Sequence, residues 1–245
     1  MAKLTHTTAP TAVSLLNEAQ IVLTNLQNRL YPALDIYVTK WHILNAMLYC
    51  QWHSNTKLEE VYLKADTLNR YYSTNIWNIL SMATGIIHIP NIDQRLQSGD
   101  PTLVNDIATS VPNRFNYSFA TKYCACHNPQ AYPIYDNLVA DFFSEVIKKG
   151  NLSCPTLSGL SVPQIRNKMK TDYAFYKTVY AVFMQQYNLT SLSYREVDWY
   201  IWTAGKLLKG LQPAPTKNRS SVNVWTTAKS QMHLLPQFSQ LLQLV

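Results

Sequence analysis

Glycine is scarce in this chain, with six in 245 residues. None sits in a loop of the kind that cradles a nucleotide phosphate, which argues against a P-loop nucleoside triphosphatase. Long apolar runs are also missing: no stretch reaches the ~18 residues that a bilayer-spanning helix requires. Met1 to Pro10 lacks the basic-then-apolar order of a signal peptide, so the expected location is cytoplasmic, with no membrane partner. Cys50, Cys124, Cys126 and Cys154 form no disulfide framework by spacing, and free thiols are expected. Cys124, Cys126 and His127 have no second ligand cluster at a finger-like interval, and positions two apart on a helix point different ways. Neither a metal nor a cofactor is expected. Apolar and polar residues nowhere alternate for long enough to make a convincing strand, and there is no internal repeat.

What is present is apolar and basic. Hydrophobic residues make up 47% of the chain, enough for a sizeable core, while charged residues are only 14%. The formal net charge of +7 favours a polyanionic partner. Sixteen tyrosines and six tryptophans allow base-stacking surfaces, although such residues are more often core.

Helical periodicity dominates. The pattern predicts helices over Ala12 to Leu30, Leu34 to Trp52 (apolar nearly all round and so expected to be buried) and Leu58 to Tyr72. Another covers Ile76 to Ile87, ended by Gly85 and Pro90. Two short helices follow in Asn91 to Thr109, the first ended by Gly99 and the second opened by Asp100 and Pro101. Asn151 to Gln164 is expected to be a long loop. The stripe Tyr176, Tyr180, Phe183 and Tyr187 has helical spacing and is expected to be core. Ser193 and Glu196 form a capping box for a helix through Lys209, on which Asp198 and Trp202 lie one turn apart. Gly205 within that helix suggests close backbone packing. The expected fold is all-α: two helical lobes, with a single domain over residues 1–210. A linker and C-terminal helical tail at 211–245 either docks on the body or meets a protein partner.

The chain is organised around Ser118 to Gly150, read as helix, Pro-bounded loop, helix. Leu138, Val139, Phe142, Phe143, Val146 and Ile147 give the second helix one apolar face, Asp136 has N-cap chemistry, and Gly150 suits a left-handed C-terminal position. The first helix carries Lys122 among Phe119, Ala120, Tyr123 and Cys124. Burial there would lower the amine's pKa and make it a nucleophile. Asp136 at a helix N-terminus would have its charged form stabilised by free N–H groups. Such a pair suits attack on the anomeric carbon of a nucleotide through an oxocarbenium-like transition state. The plainer alternative is a solvated lysine and a structural cap.

Thr121-Lys122, followed by a loop and then Pro133-Ile134-Tyr135-Asp136 opening a helix, resembles the catalytic segment of helix-hairpin-helix DNA glycosylases, nearest to the oxoguanine glycosylase-like type. The resemblance implies a Schiff-base lysine at Lys122 and a helix-capping catalytic aspartate at Asp136. The interval between them matches the shortened form in that group. Val111 to Thr121 departs from the family by containing no glycine, where glycine amides normally hold a DNA phosphate. The four-cysteine iron–sulfur loop of some members is also missing. LNRYYSTNI (68–76), Ser98 to Ala108, SFATKYCACHNP, YPIYD and DWYIWTAGK (198–206) resemble, more broadly, a family of uncharacterised bacterial proteins across Thr56 to Leu208.

The resulting expectation is a DNA glycosylase with lyase activity on an altered base. Arg114, with Lys217 and Arg219, would neutralise phosphates; Cys126 or His127 would approach the base; Asp198 and Trp202 would contribute to the substrate site. The alternative is a non-catalytic helical module, of bacterial or phage origin, that binds nucleic acid or a protein.

Overall fold

A computed structural model describes residues 14–49, 52, 54–208 and 235–243. The expected linker with Lys217 and Arg219, the N-terminal residues 1–13, Cys50 and the first part of the tail lie outside the described residues. The described chain is all-α, with no strand.

Helix α1 (Leu16–Gln27) and a short 3₁₀ turn, Pro32–Leu34, lead into α2 (Asp35–Leu44), which continues as a π-helical turn, Asn45–Tyr49. Helices α3 (Leu58–Tyr72) and α4 (Ile79–Ile87) follow, then the short α5 (Ile92–Ser98) and α6 (Thr102–Thr109). Next come α7 (Tyr117–His127) and α8 (Asn137–Lys148), the pair singled out from the sequence. After a 3₁₀ turn, Pro155–Leu157, come α9 (Val162–Thr171), α10 (Tyr173–Gln186) and α11 (Tyr194–Leu208). The segment at 235–243 contains α12 (Pro236–Leu241).

Most local signals act as written. Asp136 is the N-cap of α8 and accepts a hydrogen bond from the Val139 N–H at 2.8 Å. Gly150 ends that helix at φ 73°, and Gly99 ends α5 at φ 72°. Ser193 and Glu196 bond reciprocally, backbone N–H to side-chain oxygen in both directions. Asp100 accepts from the Thr102 N–H, so it caps α6 although the helix begins one residue later than expected. Tyr176, Tyr180 and Phe183 are fully buried, as the stripe predicts.

Three expectations are corrected. Helix α2 is shorter than Leu34 to Trp52 and is not buried: only Val38, Trp41 and Leu44 face inward, while Ile36, Tyr37 and Ile43 are exposed. An all-round apolar sequence did not mean an all-round core position: Tyr37 borders a cleft, and Ile36 and Ile43 face outward. Gly85 does not end α4 but sits inside it, where a Cβ would come 2.7 Å from Ser110; its role is close packing. The loop expected to run to Gln164 ends at Ser161, whose backbone N–H and hydroxyl bond the Gln164 side chain and open α9.

At the centre lies α7. Phe119 through Cys126 are all buried, and the helix packs against α3, α5, α6 and the π turn. A helix apolar all round belongs inside a core, and this one carries Lys122 there. The core is one contiguous cluster, supplemented by Leu26, Leu34 and Val38 packed against Trp199 and Trp202.

The described part of the tail docks on the body. Phe238 stacks on Phe142 at 5.0 Å and meets Tyr200 edge-on, and Leu235, Leu241 and Leu242 are buried. The buried carboxylate of Glu18, on α1, accepts from the Tyr200 hydroxyl and from the Gln237 and Phe238 N–H groups at the start of α12. A single side chain thus ties the two ends of the described chain together. Glu18→Ala leaves three donors without their acceptor, each orphan costing ~1–3 kcal/mol. The expected outcome is a lowered melting temperature with faster amide exchange in 236–241 before the rest of the core; unchanged exchange there would refute the tie.

Candidate functional site

A cleft of about 440 Å³ opens beside α7. One side is formed by Leu26 of α1, Tyr37, Val38 and Lys40 of α2, and the end of α3 from Tyr71 to Ser73. The other side is Ser118 and Lys122 of α7, residues 134–137, and Arg195, Asp198, Trp199 and Trp202 of α11. Lys122, Asp136, Asp198 and Trp202 therefore line one cavity, although they come from three separate stretches of chain.

Lys122 is only 5% exposed. Its Nζ donates to Ser118 Oγ at 2.6 Å and lies 3.4 Å from the carbonyl oxygens of Ser118 and Tyr135. The face of Tyr72 is 5.7 Å away. Burial pulls the Lys122 amine below the ordinary lysine value; the charges of Asp136 and Asp198 pull the other way, and Arg195 adds to the lowering. Desolvation dominates because no carboxylate lies within ion-pair distance among the described residues.

Asp198 and Arg195 form the second layer of charge. Arg195 donates to Asp198 Oδ2 at 2.8 Å and to the Tyr72 hydroxyl at 3.2 Å, and its guanidinium lies against the rings of both Trp41 (4.2 Å) and Trp199 (5.0 Å), which meet each other edge-on. Burial pushes the Asp198 carboxyl up to about 7, against the pull of Arg195, and Asp136 adds to the push. Its Oδ1 and the Arg195 Nε have no hydrogen-bond partner among the described residues. Buried polar atoms are normally satisfied, so these two are candidates for partners supplied by a ligand. The cleft's outer wall is aromatic and cationic: Tyr37 meets Trp202 edge-on at 4.7 Å, Lys40 sits over Tyr37 and Tyr71, and Lys206 over Trp202.

Other sequence candidates lie elsewhere. Arg114 is on the α6–α7 loop, where it donates to the Asn75 carbonyl at 3.3 Å. His127, at the end of α7, packs on Tyr123 at 5.0 Å and does not line the cleft. Cys126 faces the core, and burial pushes its thiol up to about 12, so it is an inert thiol rather than a base contact. No group of three or more His, Cys, Asp or Glu that could hold a metal occurs among the described residues. Nor is any helix among them long and apolar enough to cross a membrane.

Sequence reasoning missed Arg195, Tyr72 and Trp41. Their roles depend on α2, α3 and α11 converging, and no local pattern announces that. Arg195 directly precedes the capping glutamate Glu196, which masked it as an ordinary first-turn cation.

The fold and site define a helical protein with a buried lysine at the floor of an aromatic cleft. A family model described as HI_0787_N, N-terminal domain, matches residues 19–131. An uncharacterised protein of Haemophilus influenzae is 34% identical over 173 residues, covering 69% of this chain and 74% of that protein. The chain belongs to that family. Neither description names an activity. No solved structure matches.

The charge layer has a testable pH signature. The folded state holds a proton on Asp198 that the unfolded chain gives up from the ordinary value of 3.8 upward, so this group's contribution to stability falls as pH rises from about 4 to about 7. Arg195→Met leaves the ionised Asp198 buried without its partner, at a cost of ~3–5 kcal/mol. Thermal denaturation is expected to show a larger loss at pH 8 than at pH 5.5, where Asp198 can be protonated. Adding Asp198→Asn should flatten the difference. An Arg195→Met loss that is equal at both pH values would contradict this account.

Proposed function

We propose that the cleft is the active site of a DNA glycosylase with lyase activity. The observation that carries this reading is the desolvated Lys122 amine at the floor of a cavity it shares with Asp136 and Asp198. A surface lysine is almost wholly ammonium at neutral pH; a buried one is a usable nucleophile.

In this reaction a nucleotide enters the cleft out of the base stack, because its anomeric carbon is shielded within a duplex. The neutral Nζ of Lys122 attacks C1′, and the N-glycosidic bond breaks with its electron pair on the base, which takes up a proton. The new C1′ ammonium loses a proton. The bond from C1′ to the ring oxygen then opens, that oxygen is protonated, and a protonated Schiff base forms. Loss of a C2′ proton expels the 3′ phosphate. Asp136, with one carboxylate oxygen fixed by the Val139 N–H, stabilises the cationic sugar. Asp198, with a free Oδ1, and Trp202 contact the base. Ser118 Oγ holds the amine in place before attack.

Positive charge supports the choice of partner: the chain carries +7, and Lys40 and Lys206 flank the cleft mouth. Arg114 adds a cation on the α6–α7 loop. Affinity for DNA should fall steeply with salt as counterions are released. The same charge also suits the alternative reading, a module that binds nucleic acid without chemistry.

Borohydride trapping distinguishes the two. Duplexes carrying an abasic site or an altered base are expected to give a covalent adduct with the wild-type protein. Lys122→Ala should give none, and Asp136→Asn a rate lower by at least tenfold. If no Lys122-dependent adduct forms with any of these duplexes while binding persists, the module reading replaces the enzymatic one.

A further inference from the structure

Ser118 stands one turn before Lys122 on α7, and the two side chains meet: Ser118 Oγ and Lys122 Nζ are 2.6 Å apart. Both residues line the cleft. The lysine is buried, whereas the serine is half-buried and open to the cavity. Two carbonyl oxygens, those of Ser118 and Tyr135, lie 3.4 Å from Nζ and fix its position. Burial keeps this amine below the ordinary lysine value, so its neutral form carries a lone pair that can accept the hydroxyl proton.

A serine hydroxyl is a weak nucleophile at neutral pH, and a neutral base held within about 2.6–3.2 Å of it is the arrangement that activates one. Serine–lysine pairs serve in this way in acyl transfer. Ser118 lies in the first turn of α7, where the free N–H groups of a helix favour a developing alkoxide. Acyl transfer also needs a donor for the oxyanion. Arg195 lines the same cavity, its side chain is 10% exposed, and its Nε has no acceptor among the described residues. The walls set the kind of substrate. Tyr37 and Trp202 meet edge-on at 4.7 Å, Trp199 and Val38 adjoin them, and a cavity of about 440 Å³ admits a small molecule with a planar or apolar part.

We propose a second activity for the cleft: hydrolysis of a small carboxylic ester with an aromatic or apolar acyl group, Ser118 acting as nucleophile, Lys122 as its general base and Arg195 as donor to the oxyanion. It goes beyond the glycosylase reading and does not rest on it, since the amine here takes a proton instead of bonding to carbon. The neutral Nζ accepts the Ser118 hydroxyl proton as Oγ bonds to the carbonyl carbon, and the carbonyl electron pair moves onto oxygen. The tetrahedral adduct then collapses: the bond from carbon to the alcohol oxygen breaks, and the Lys122 ammonium returns its proton to that oxygen. Water, deprotonated by the same amine, attacks the acyl-serine, releasing the carboxylic acid and restoring the hydroxyl.

The test uses the full-length protein with p-nitrophenyl butyrate, p-nitrophenyl phenylacetate and a biotinylated fluorophosphonate, whose phosphorus bonds to an activated serine oxygen as fluoride leaves. Wild type is expected to release nitrophenolate over many turnovers, and peptide mass spectrometry should place the phosphonate on Ser118. Ser118→Ala should lose the label and at least a hundredfold in kcat/KM. Lys122→Met, which keeps an apolar chain of similar length, should lose a comparable factor; if it does not fold, the Ser118→Ala loss and the position of the label decide. Equal hydrolysis by wild type and Ser118→Ala overturns the proposal. So does acyl transfer from either ester to Lys122 as a stable amide with none on Ser118, because the lysine would then be the nucleophile. Borohydride trapping on an abasic-site duplex, run on the same proteins, separates the two readings. Ester turnover without an adduct supports the serine–lysine pair and counts against the glycosylase. An adduct with neither turnover nor label overturns the pair and leaves the glycosylase reading standing.

Discussion

The site depends on one constraint: a primary amine held inside a helix that is buried on every side. Helix α7 must be apolar all round to occupy the centre of the core, and Phe119, Ala120, Tyr123 and Cys124 meet that requirement. Lys122 is tolerated because its Nζ reaches the cleft and finds the hydroxyl of Ser118, one turn earlier. Burial then does the chemistry's first task by removing the hydration that favours the ammonium. Everything else in the cleft acts on that balance. Asp136 and Asp198 restore part of the positive charge's stability, and Arg195 removes part of it.

The same balance explains why Arg195 is built so firmly into place. An arginine at this depth keeps its charge, and the faces of Trp41 and Trp199 with the Tyr72 hydroxyl and Asp198 give it partners. It links Asp198 to Tyr72 of α3 and keeps the carboxylates of Asp136 and Asp198 from facing the lysine unopposed. A second buried lysine shows the contrast. Lys64 is fully enclosed, donates to the Ser54 carbonyl and to Asn55 Oδ1, and through Asn55 joins Asp93 and the Tyr123 hydroxyl. Burial lowers its amine to about 8, yet it does not line the cleft, and it braces α3 against the centre of the fold. Low pKa alone does not make a site; access to a cleft does.

How much of this was legible beforehand follows from the range of the interactions. Local chemistry was readable: the Asp136 cap, the Ser193–Glu196 box and Gly150 act within a few residues of themselves. So was the all-α class, because helical periodicity is continuous. The Ser161–Gln164 box was equally local and equally readable, but Pro163 and Gly159 drew the reading toward a loop. What the pattern could not supply is which side of an apolar helix meets solvent. Tyr37 on α2 and Trp77 before α4 resemble core residues in sequence and are exposed, one on a cleft and one on the turn between α3 and α4. Arg195 is the converse, a charged residue in a capping turn that is buried by two tryptophans from α2 and α11.

The central claim is that desolvation makes Lys122 a neutral amine at lower pH than an ordinary lysine. The most direct measurement is a pH titration of the protein with lysine side chains labelled for nuclear magnetic resonance, the Lys122 signal being assigned by its loss in Lys122→Ala. The account predicts a midpoint below the ordinary 10.5, moving lower still in Asp198→Asn, where a carboxylate that favours the ammonium is gone. A Lys122 midpoint at or above 10.5, unmoved by Asp198→Asn, would contradict it.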